Sequence, residues 1–416
     1  MNFAVRINPA SLDRQALYQA IADQVGTPAF VYDLDKISQH YRDYANALGD
    51  GNLLCYAVKA NSNLSVLRHL VALGAGFDIV SGGELLRVVR AGGNPAKVVF
   101  SGVGKSDAEI RLALDMGIKC FNVESESELR RISRQAVDLG KVAPISIRVN
   151  PDVDAQTHPY IATGMKDNKF GIAMDQALAC YTLATELSNL RIVGVDCHIG
   201  SQLTQLAPFA DAFERVLALV DQLAEQGIHL NHVDMGGGLG IAYGNENLPD
   251  KASYLALFRE TLAARGLQLI IEPGRSLVGD AGVLITEVLC IKDTAEKRFV
   301  VLDTAMNDNL RPALYGAKHR ISVLQSGCTE PARACELVGP VCESADVIAR
   351  DQKLALDEGD LLLVHDVGAY GFAMSSNYNA RPRAAEVVIA GEAYTVARER
   401  ESFNDMLKGE TLYWNQ

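Results

Sequence analysis

Lys59 closes the apolar run Leu53-Leu54-Cys55-Tyr56-Ala57-Val58 and is followed at once by Ala60-Asn61-Ser62-Asn63. An amine at the carboxyl end of a buried strand is desolvated, which makes it a nucleophile toward carbonyl groups. The plainer alternative is a lysine turning outward to water, the usual fate of this side chain. Further along, other apolar runs also end on polar groups: Asp78 with Ser81, Ser101, Glu124, Asn150, His198 with Ser201, Asp234 ahead of a glycine run, and Glu272. Any one of these is ordinary, but core packing alone does not require the series.

Gly236-Gly237-Gly238 and the turn Glu272-Pro273-Gly274-Arg275 could form an anion cradle, since glycine lets backbone N–H groups crowd a phosphate and arginine adds a two-pronged contact. Tight turns explain the glycines about equally well. A phosphate site beside a strand-end lysine suggests pyridoxal 5'-phosphate, bound covalently through the amine and used as an electron sink. Glu272 is an anion suited to the pyridine nitrogen, and His198 could stack on the ring. Cys197 and His198 are adjacent and point to opposite faces, so they cannot share a metal, and no metal is expected.

The elements that position these groups are read from periodicity. Eight apolar runs, 53–58, 76–80, 97–100, 119–123, 145–149, 192–197, 232–235 and 267–271, alternate with segments of three-to-four-residue periodicity at 83–91, 107–116, 125–139, 175–187, 208–226 and 254–265. Eight strand–helix units predict a (β/α)8 TIM barrel, whose working residues lie at the carboxyl ends of the strands. An open doubly wound sheet is the competitor. Its glycine fingerprint belongs after the first strand, whereas this run follows the seventh.

Beyond Gly274 the texture turns β-rich, with strands expected at 283–291, 298–303, 332–338, 360–364 and 384–389 in an antiparallel domain. Residues 28–33 read as one more strand, expected to pair with that domain because a closed barrel has no edge to offer. The expected division is residues 1–33 joining the β-domain, 34–274 as barrel and 275–416 as the β-domain.

The chain has 416 residues, 48% of them hydrophobic, enough for a barrel and an appended domain. A net charge of -12 without a basic run disfavours nucleic acid and anionic membrane as partners. Residues 1–20 lack a signal-peptide layout and no stretch of about 18 apolar residues occurs, so a cytoplasmic protein is expected. Eight cysteines without a Cys-x-x-Cys pair argue against a disulfide framework and a zinc ribbon.

Seven motifs in order make the chain resemble the fold-type III pyridoxal-phosphate-dependent decarboxylases, over nearly its whole length. They are Tyr56-Ala57-Val58-Lys59-Ala60-Asn61, Asp78-Ile79-Val80-Ser81-Gly82-Gly83-Glu84, His198-Ile199-Gly200-Ser201-Gln202, Gly236-Gly237-Gly238-Leu239-Gly240, Glu272-Pro273-Gly274-Arg275, Gly339-Pro340-Val341-Cys342-Glu343-Ser344-Ala345-Asp346 and Gly368-Ala369-Tyr370-Gly371. The resemblance implies an alanine-racemase-like fold, a barrel followed by an antiparallel β-barrel or sandwich. It implies that Lys59 carries the cofactor, His198 stacks on it and Glu272 faces its ring nitrogen. Asp78, Ser201, Gly237, Gly238, Gly274, Arg275 and Tyr370 would complete the cofactor site. Arg275, Arg311, Tyr315, Glu343 and Tyr370 would contact substrate, and Cys342 would supply a proton. It also implies a homodimer in which Cys342 and Glu343 of one subunit complete the site of the other.

Within that family the likeness is strongest to the branch acting on meso-2,6-diaminopimelate, which implies conversion to L-lysine and carbon dioxide. That substrate carries an amino-acid group at each end. Arg311 and Tyr315 supply a cation and a hydroxyl for the distal carboxylate, and Glu343 an anion for the distal ammonium. For Arg311 the plain alternative is a surface arginine after Asn307-Asp308-Asn309. For Cys342 it is a buried thiol in a β-domain turn. A thiol able to deliver one proton suits decarboxylation, whereas a racemase on this fold needs a second base. Related basic-amino-acid or carboxy-polyamine decarboxylases, and a catalytically silent cofactor-binding regulator, are the alternatives. The long loop 150–170, with Thr157-His158-Pro159-Tyr160 and Lys166-Asp167-Asn168-Lys169, is expected to act as a lid.

Overall fold

A computed structural model describes residues 5–6, 14–154, 163–164 and 168–413. Most of the expected lid, including Thr157 to Tyr160, Lys166 and Asp167, lies outside the described residues. The chain divides into two compact units, Ile37–Leu277, and Met1–Lys36 with Val278–Gln416. Among the described residues no helix is long and apolar enough to cross a membrane.

The chain opens with β1 (Val5–Arg6), α1 (Arg14–Val25), β2 (Ala29–Asp33) and α2 (Leu34–Leu48). The barrel follows, with strands β3 (Leu53–Ala57), β4 (Gly76–Ile79), β5 (Val98–Phe100), β6 (Cys120–Val123), β7 (Ala143–Asn150), β9 (Leu190–Cys197), β10 (His232–Asp234) and β11 (Gln268–Ile271). A two-residue strand β8 (Ile172–Ala173) adds only to the rim beside β7. All eight pair in parallel with their neighbours, and pairing of β6 with β7 and of β11 with β3 closes the cylinder. These are the eight strands expected from the apolar runs. They were legible because a parallel strand covered on both faces is apolar throughout.

Helices return the chain between strands, and their starts are written in the sequence. The helices α3 (Leu64–Leu73), α4 (Gly82–Arg90), α5 (Asp107–Met116) and α6 (Glu126–Asp138) follow β3 to β6 in turn. Ser81, Ser106 and Ser125 cap α4, α5 and α6 by accepting the N–H of Glu84, Glu109 and Glu128, three residues on. This Ser-x-x-Glu spacing satisfies N–H groups that the first helical turn leaves without partners. The remaining barrel helices are α7 (Met174–Glu186), α8 (Ala207–Glu225), α9 (Lys251–Ala256), α10 (Arg259–Ala264) and the short α11 (Arg275–Val278). One helix was expected over 254–265, but the chain breaks between α9 and α10. At the break Phe258 buries its ring edge-on against Phe213 at 5.1 Å and Tyr254 at 5.3 Å.

The second unit is a sheet of β1, β2, β12 (Gly282–Asp293), β13 (Arg298–Leu302), β14 (Ile321–Gln325), β15 (Arg333–Val338), β16 (Val347–Leu354), β17 (Leu361–His365), β18 (Ala385–Ala390) and β19 (Ala393–Arg398). As expected, β2 joins this sheet, lying between β12 and β18. The sheet is not wholly antiparallel, because β2 runs parallel to β18 and β13 parallel to β15. A strand arriving from the N-terminal end of the chain has its direction set by α1 and α2, not by a hairpin, so its orientation is independent of its neighbours. β1, β14, β16 and β19 were not foreseen. β16 carries Arg350-Asp351-Gln352-Lys353 on an exposed edge, a polarity that an edge strand uses against further pairing and that hides it from a search for apolar runs.

Candidate active site

Lys59 lies on a single 3-10 turn, Val58–Ala60, immediately after β3. The hydroxyl of the buried Tyr56 donates to the Asn61 carbonyl at 2.9 Å, and the Asn63 side chain caps α3 by accepting the Ser65 N–H. Both ends of the lysine turn are thereby fixed. Lys59 Nζ reaches Asp78 Oδ2 on the neighbouring strand β4 at 2.7 Å. Asp78 is fully buried, and its Oδ1 has no hydrogen-bond partner among the described residues. The Glu272-Pro273-Gly274-Arg275 turn lies directly alongside. Ala57 N–H donates to Pro273 O at 3.2 Å, and a β-carbon on Gly274 would stand 3.1 Å from both Ala57 Cβ and Ala60 Cβ.

Glu272 is buried within a group of acids. One carboxylate oxygen of each of Asp196, Asp234 and Glu272 lies within 4.8 Å of the others. Burial raises all three proton affinities: Asp234 is pushed up to about 7 against the Gly236 N–H and a hydrogen bond with Glu272, which pull it down, and Asp196 and Glu272, which also feel the Asp234 charge, move well above the usual carboxylate range. Asn122 Nδ2 approaches Glu272 Oε1 at 3.4 Å and Ser101 Oγ at 3.1 Å. The buried Arg148 guanidinium is engaged by Glu124 at 2.7 Å and by Asp196 at 3.8 Å. Glu124 also accepts the N–H groups of Gly102 and Gly171. Asn122, Arg148 and Asp196 were not singled out from the sequence. They interrupt apolar runs inside β6, β7 and β9, and polar residues within otherwise buried strands were the signal that could have found them.

His198 follows β9 and accepts the Gly237 N–H at Nδ1, 3.1 Å away, so its proton resides on Nε2. Burial, with the nearby Arg148 and Lys59 cations, depresses its proton affinity well below that of a free imidazole, and the ring is neutral. Arg275 donates from one guanidinium nitrogen to Ser201 Oγ at 3.0 Å and from the other to Tyr243 Oη at 2.7 Å. These bonds draw together the segments after β9, β10 and β11. The glycines have a packing reason of their own. A β-carbon at Gly237 would fall 2.3 Å from Glu272 O, and one at Gly238 2.5 Å from Gly200 O. Of the strand-end residues, Ser81 serves as a helix cap and Asn150 donates to Phe170 O at the base of the long loop.

The other named residues belong to the sheet unit. Arg311 opens the one-turn helix α12 (Arg311–Tyr315) and is buried, which overturns the surface-arginine alternative. His319 Nδ1 donates to the His365 carbonyl at 2.8 Å, leaving Nε2 to accept from Arg311 at 3.1 Å. Tyr315 is half-buried. Cys342 and Glu343 are exposed, so Cys342 is not the buried turn thiol of the plain alternative. Tyr370 is half-buried and has a φ of 60°, a left-handed conformation rare for an aromatic residue.

At the barrel mouth the arrangement offers an amine held by a buried carboxylate, a neutral imidazole, an arginine aimed at two hydroxyls and a carboxylate cluster short of positive charge. Asp234 Oδ2 and Asp196 Oδ1 lack hydrogen-bond partners among the described residues. A flat heterocycle with a protonated ring nitrogen, a carbonyl carbon and an anionic tail fits these donors and acceptors.

Comparison with known proteins agrees with that chemistry. Residues 34–279 match the family model described as "Pyridoxal-dependent decarboxylase, pyridoxal binding domain". The chain is 57% identical to diaminopimelate decarboxylase of Pseudomonas aeruginosa, over 94% of each chain. It resembles the crystal structure of Helicobacter pylori diaminopimelate decarboxylase complexed with L-lysine, with a TM-score of 0.90 and 44% identity over 94% of this chain and 98% of that one. A lysine/ornithine decarboxylase of Vibrio vulnificus complexed with putrescine is more distant, with a TM-score of 0.80 and 27% identity over 92% and 99%.

Proposed function

The chain belongs to the diaminopimelate decarboxylases, within the pyridoxal-dependent decarboxylase family, and from that premise we infer its reaction and the work of its residues. It converts meso-2,6-diaminopimelate to L-lysine and carbon dioxide with pyridoxal 5'-phosphate as cofactor, the lysine-forming step of biosynthesis. The observation that carries the reading is the contact of Lys59 with buried Asp78 beside the turn that bears Glu272 and Arg275.

When bound, the cofactor supplies an electron sink for the pair released as the bond from the α-carbon to its carboxylate breaks. Lys59 is the amine that binds it, and Asp78 orients that amine. Glu272 would hold the cofactor's ring nitrogen with its proton in place, which would deepen the sink. His198, a neutral imidazole, would hold the face of the ring and add no charge that competes with that nitrogen. Ser201, Gly237, Gly238, Gly274, Arg275 and Tyr370 hold the phosphate end. Arg275 and Tyr370 also bind substrate. Arg311 and Tyr315 take its distal carboxylate, and Glu343 its distal ammonium. The Cys342 thiol delivers one proton to the α-carbon after carbon dioxide leaves, and recovers it from solvent.

The working assembly is a homodimer in which Cys342 and Glu343 complete the partner's site. Their exposure on one chain supports this reading. The eight cysteines form no disulfides, in keeping with a reducing cytoplasm. A basic-amino-acid decarboxylase is the second reading, favoured by the likeness to the lysine/ornithine enzyme. The buried Arg311 weighs against it, since such substrates lack a distal carboxylate.

Carbon dioxide release from meso-diaminopimelate, L-ornithine, L-arginine and L-lysine tests the reading. Release from the first alone is expected, and equal release from ornithine overturns the substrate assignment. Borohydride should bleach the near-visible absorbance and leave added mass on the peptide that contains Lys59. Mass on any other lysine removes Lys59 from its role.

A further inference from the structure

Resting on the assignment of Cys342 above, we propose that Asn379 is a positioning residue for Cys342, through a strained turn that the sheet unit clamps in place. Asn379 Oδ1 accepts the Cys342 backbone N–H at 2.9 Å.

The backbone of this turn is unusual. Asn379 and Ala380 have φ values of 56° and 54°, the left-handed region in which side chains other than glycine are uncommon, and here two occur in succession. Such conformations persist where the surroundings over-determine them. Ser376 N–H donates to Asn307 O at 2.9 Å, Arg381 Nε donates to Asn307 Oδ1 at 3.0 Å, and Arg381 also binds the Asp303 carbonyl. Asn377 Nδ2 binds the Arg381 carbonyl and Glu401. On the other side the buried Asp346 takes the N–H groups of Val341 at 2.8 Å and Met306 at 2.6 Å. A β-carbon at Gly339 would lie 2.7 Å from Ala305 Cα, so the Cys342 segment is seated against residues 305–307, four to six positions before Arg311. One clamp therefore sets the proton donor and the stretch leading to the arginine that reads the distal carboxylate.

Two substitutions separate the hydrogen bond from the backbone. Asn379→Gly tolerates the left-handed φ but removes the acceptor, whereas Asn379→Asp keeps both an acceptor oxygen and a residue type that enters this region. In the cofactor-loaded enzyme, Asn379→Gly is expected to lower kcat by about tenfold to a hundredfold with KM within about threefold of wild type, the cost of a displaced proton donor. Asn379→Asp should restore most of the loss. In a Cys342→Ala background Asn379→Gly should lower kcat no further. The proposal is overturned by wild-type kcat in Asn379→Gly, by equal impairment in Asn379→Asp, or by a full additional loss in the Cys342→Ala background. Undiminished kcat in Cys342→Ala alone is a different result, which sinks the assignment of Cys342 itself.

Discussion

The two units present their functional groups in opposite ways. In the barrel, Asp78, Glu272 and Arg275 are buried and bonded to other parts of the same unit before any ligand arrives. In the sheet unit, Cys342 and Glu343 are exposed, held by their backbone and by a neighbouring turn, with the thiol left open. Burying carboxylates in close proximity is costly unless protons or a cation offset the charge, so the barrel mouth is organised around a resident group. Exposed groups carry no such cost, but water would compete for every contact they make. The contrast teaches that the barrel unit packs its charged groups against one another, whereas the sheet unit leaves its thiol and carboxylate open to water.

Cys342 offers the most severe way to break this contrast. Replacing it by alanine should leave cofactor absorbance intact and cut turnover by about a hundredfold or more, as loss of a positioned acid does. Mixing that variant with Lys59→Ala then asks which chain's thiol serves which lysine. If the sites are shared across a two-fold axis, random reassortment gives mixed dimers with one intact site and recovers about a quarter of wild-type turnover. No recovery would mean that each chain uses its own thiol.

Arg311 sharpens the contrast from within the sheet unit, because it is buried where Cys342 is exposed. Lysine keeps the charge but not the planar fork, nor its reach to His319. Arg311→Lys should raise KM for meso-diaminopimelate by about tenfold to a hundredfold, the worth of a charged hydrogen-bonded contact, with a smaller change in kcat. Initial rates across substrate concentration measure the split. An unchanged KM would strip Arg311 of its distal-carboxylate role.

How far the sequence could be read follows the same divide. The eight barrel strands were visible because burial on both faces makes each a continuous apolar run, and the polar residues ending them were visible as interruptions. Asp196, Arg148 and Asn122 were hidden by the same logic, because a search for apolar runs passes over a polar residue inside one. The turn at Tyr378-Asn379 left no local trace at all. Its backbone is dictated by Asn307, Arg381 and Glu401, brought together only by the folded sheet. β16 was missed for its charge, and the parallel course of β2 beside β18 depends on chain direction, which no periodicity records.

The mildest test addresses the barrel acids themselves. Asp234 has its proton affinity raised, first by burial, from an ordinary 3.8 to about 7, so between those values the folded protein keeps a proton that the unfolded chain releases. Stability from this group is fully present below the unfolded value and is lost as pH rises through about 7. Asparagine mimics the protonated acid and cannot ionise. Asp234→Asn in the cofactor-free protein should therefore match wild type near pH 4 and exceed it near pH 8, by on the order of a few kcal/mol at most, since a tenfold change in proton affinity is worth about 1.4 kcal/mol. Titrating groups remote from it, including His232, His365 and Asp308, act in both proteins and largely cancel in the difference, whereas Asp196 and Glu272 lose the repulsion of the Asp234 charge in the variant, which adds to its gain at the higher pH. Urea denaturation followed by circular dichroism at the two pH values gives the comparison. A variant weaker than wild type at both would show Asp234 ionised in the fold.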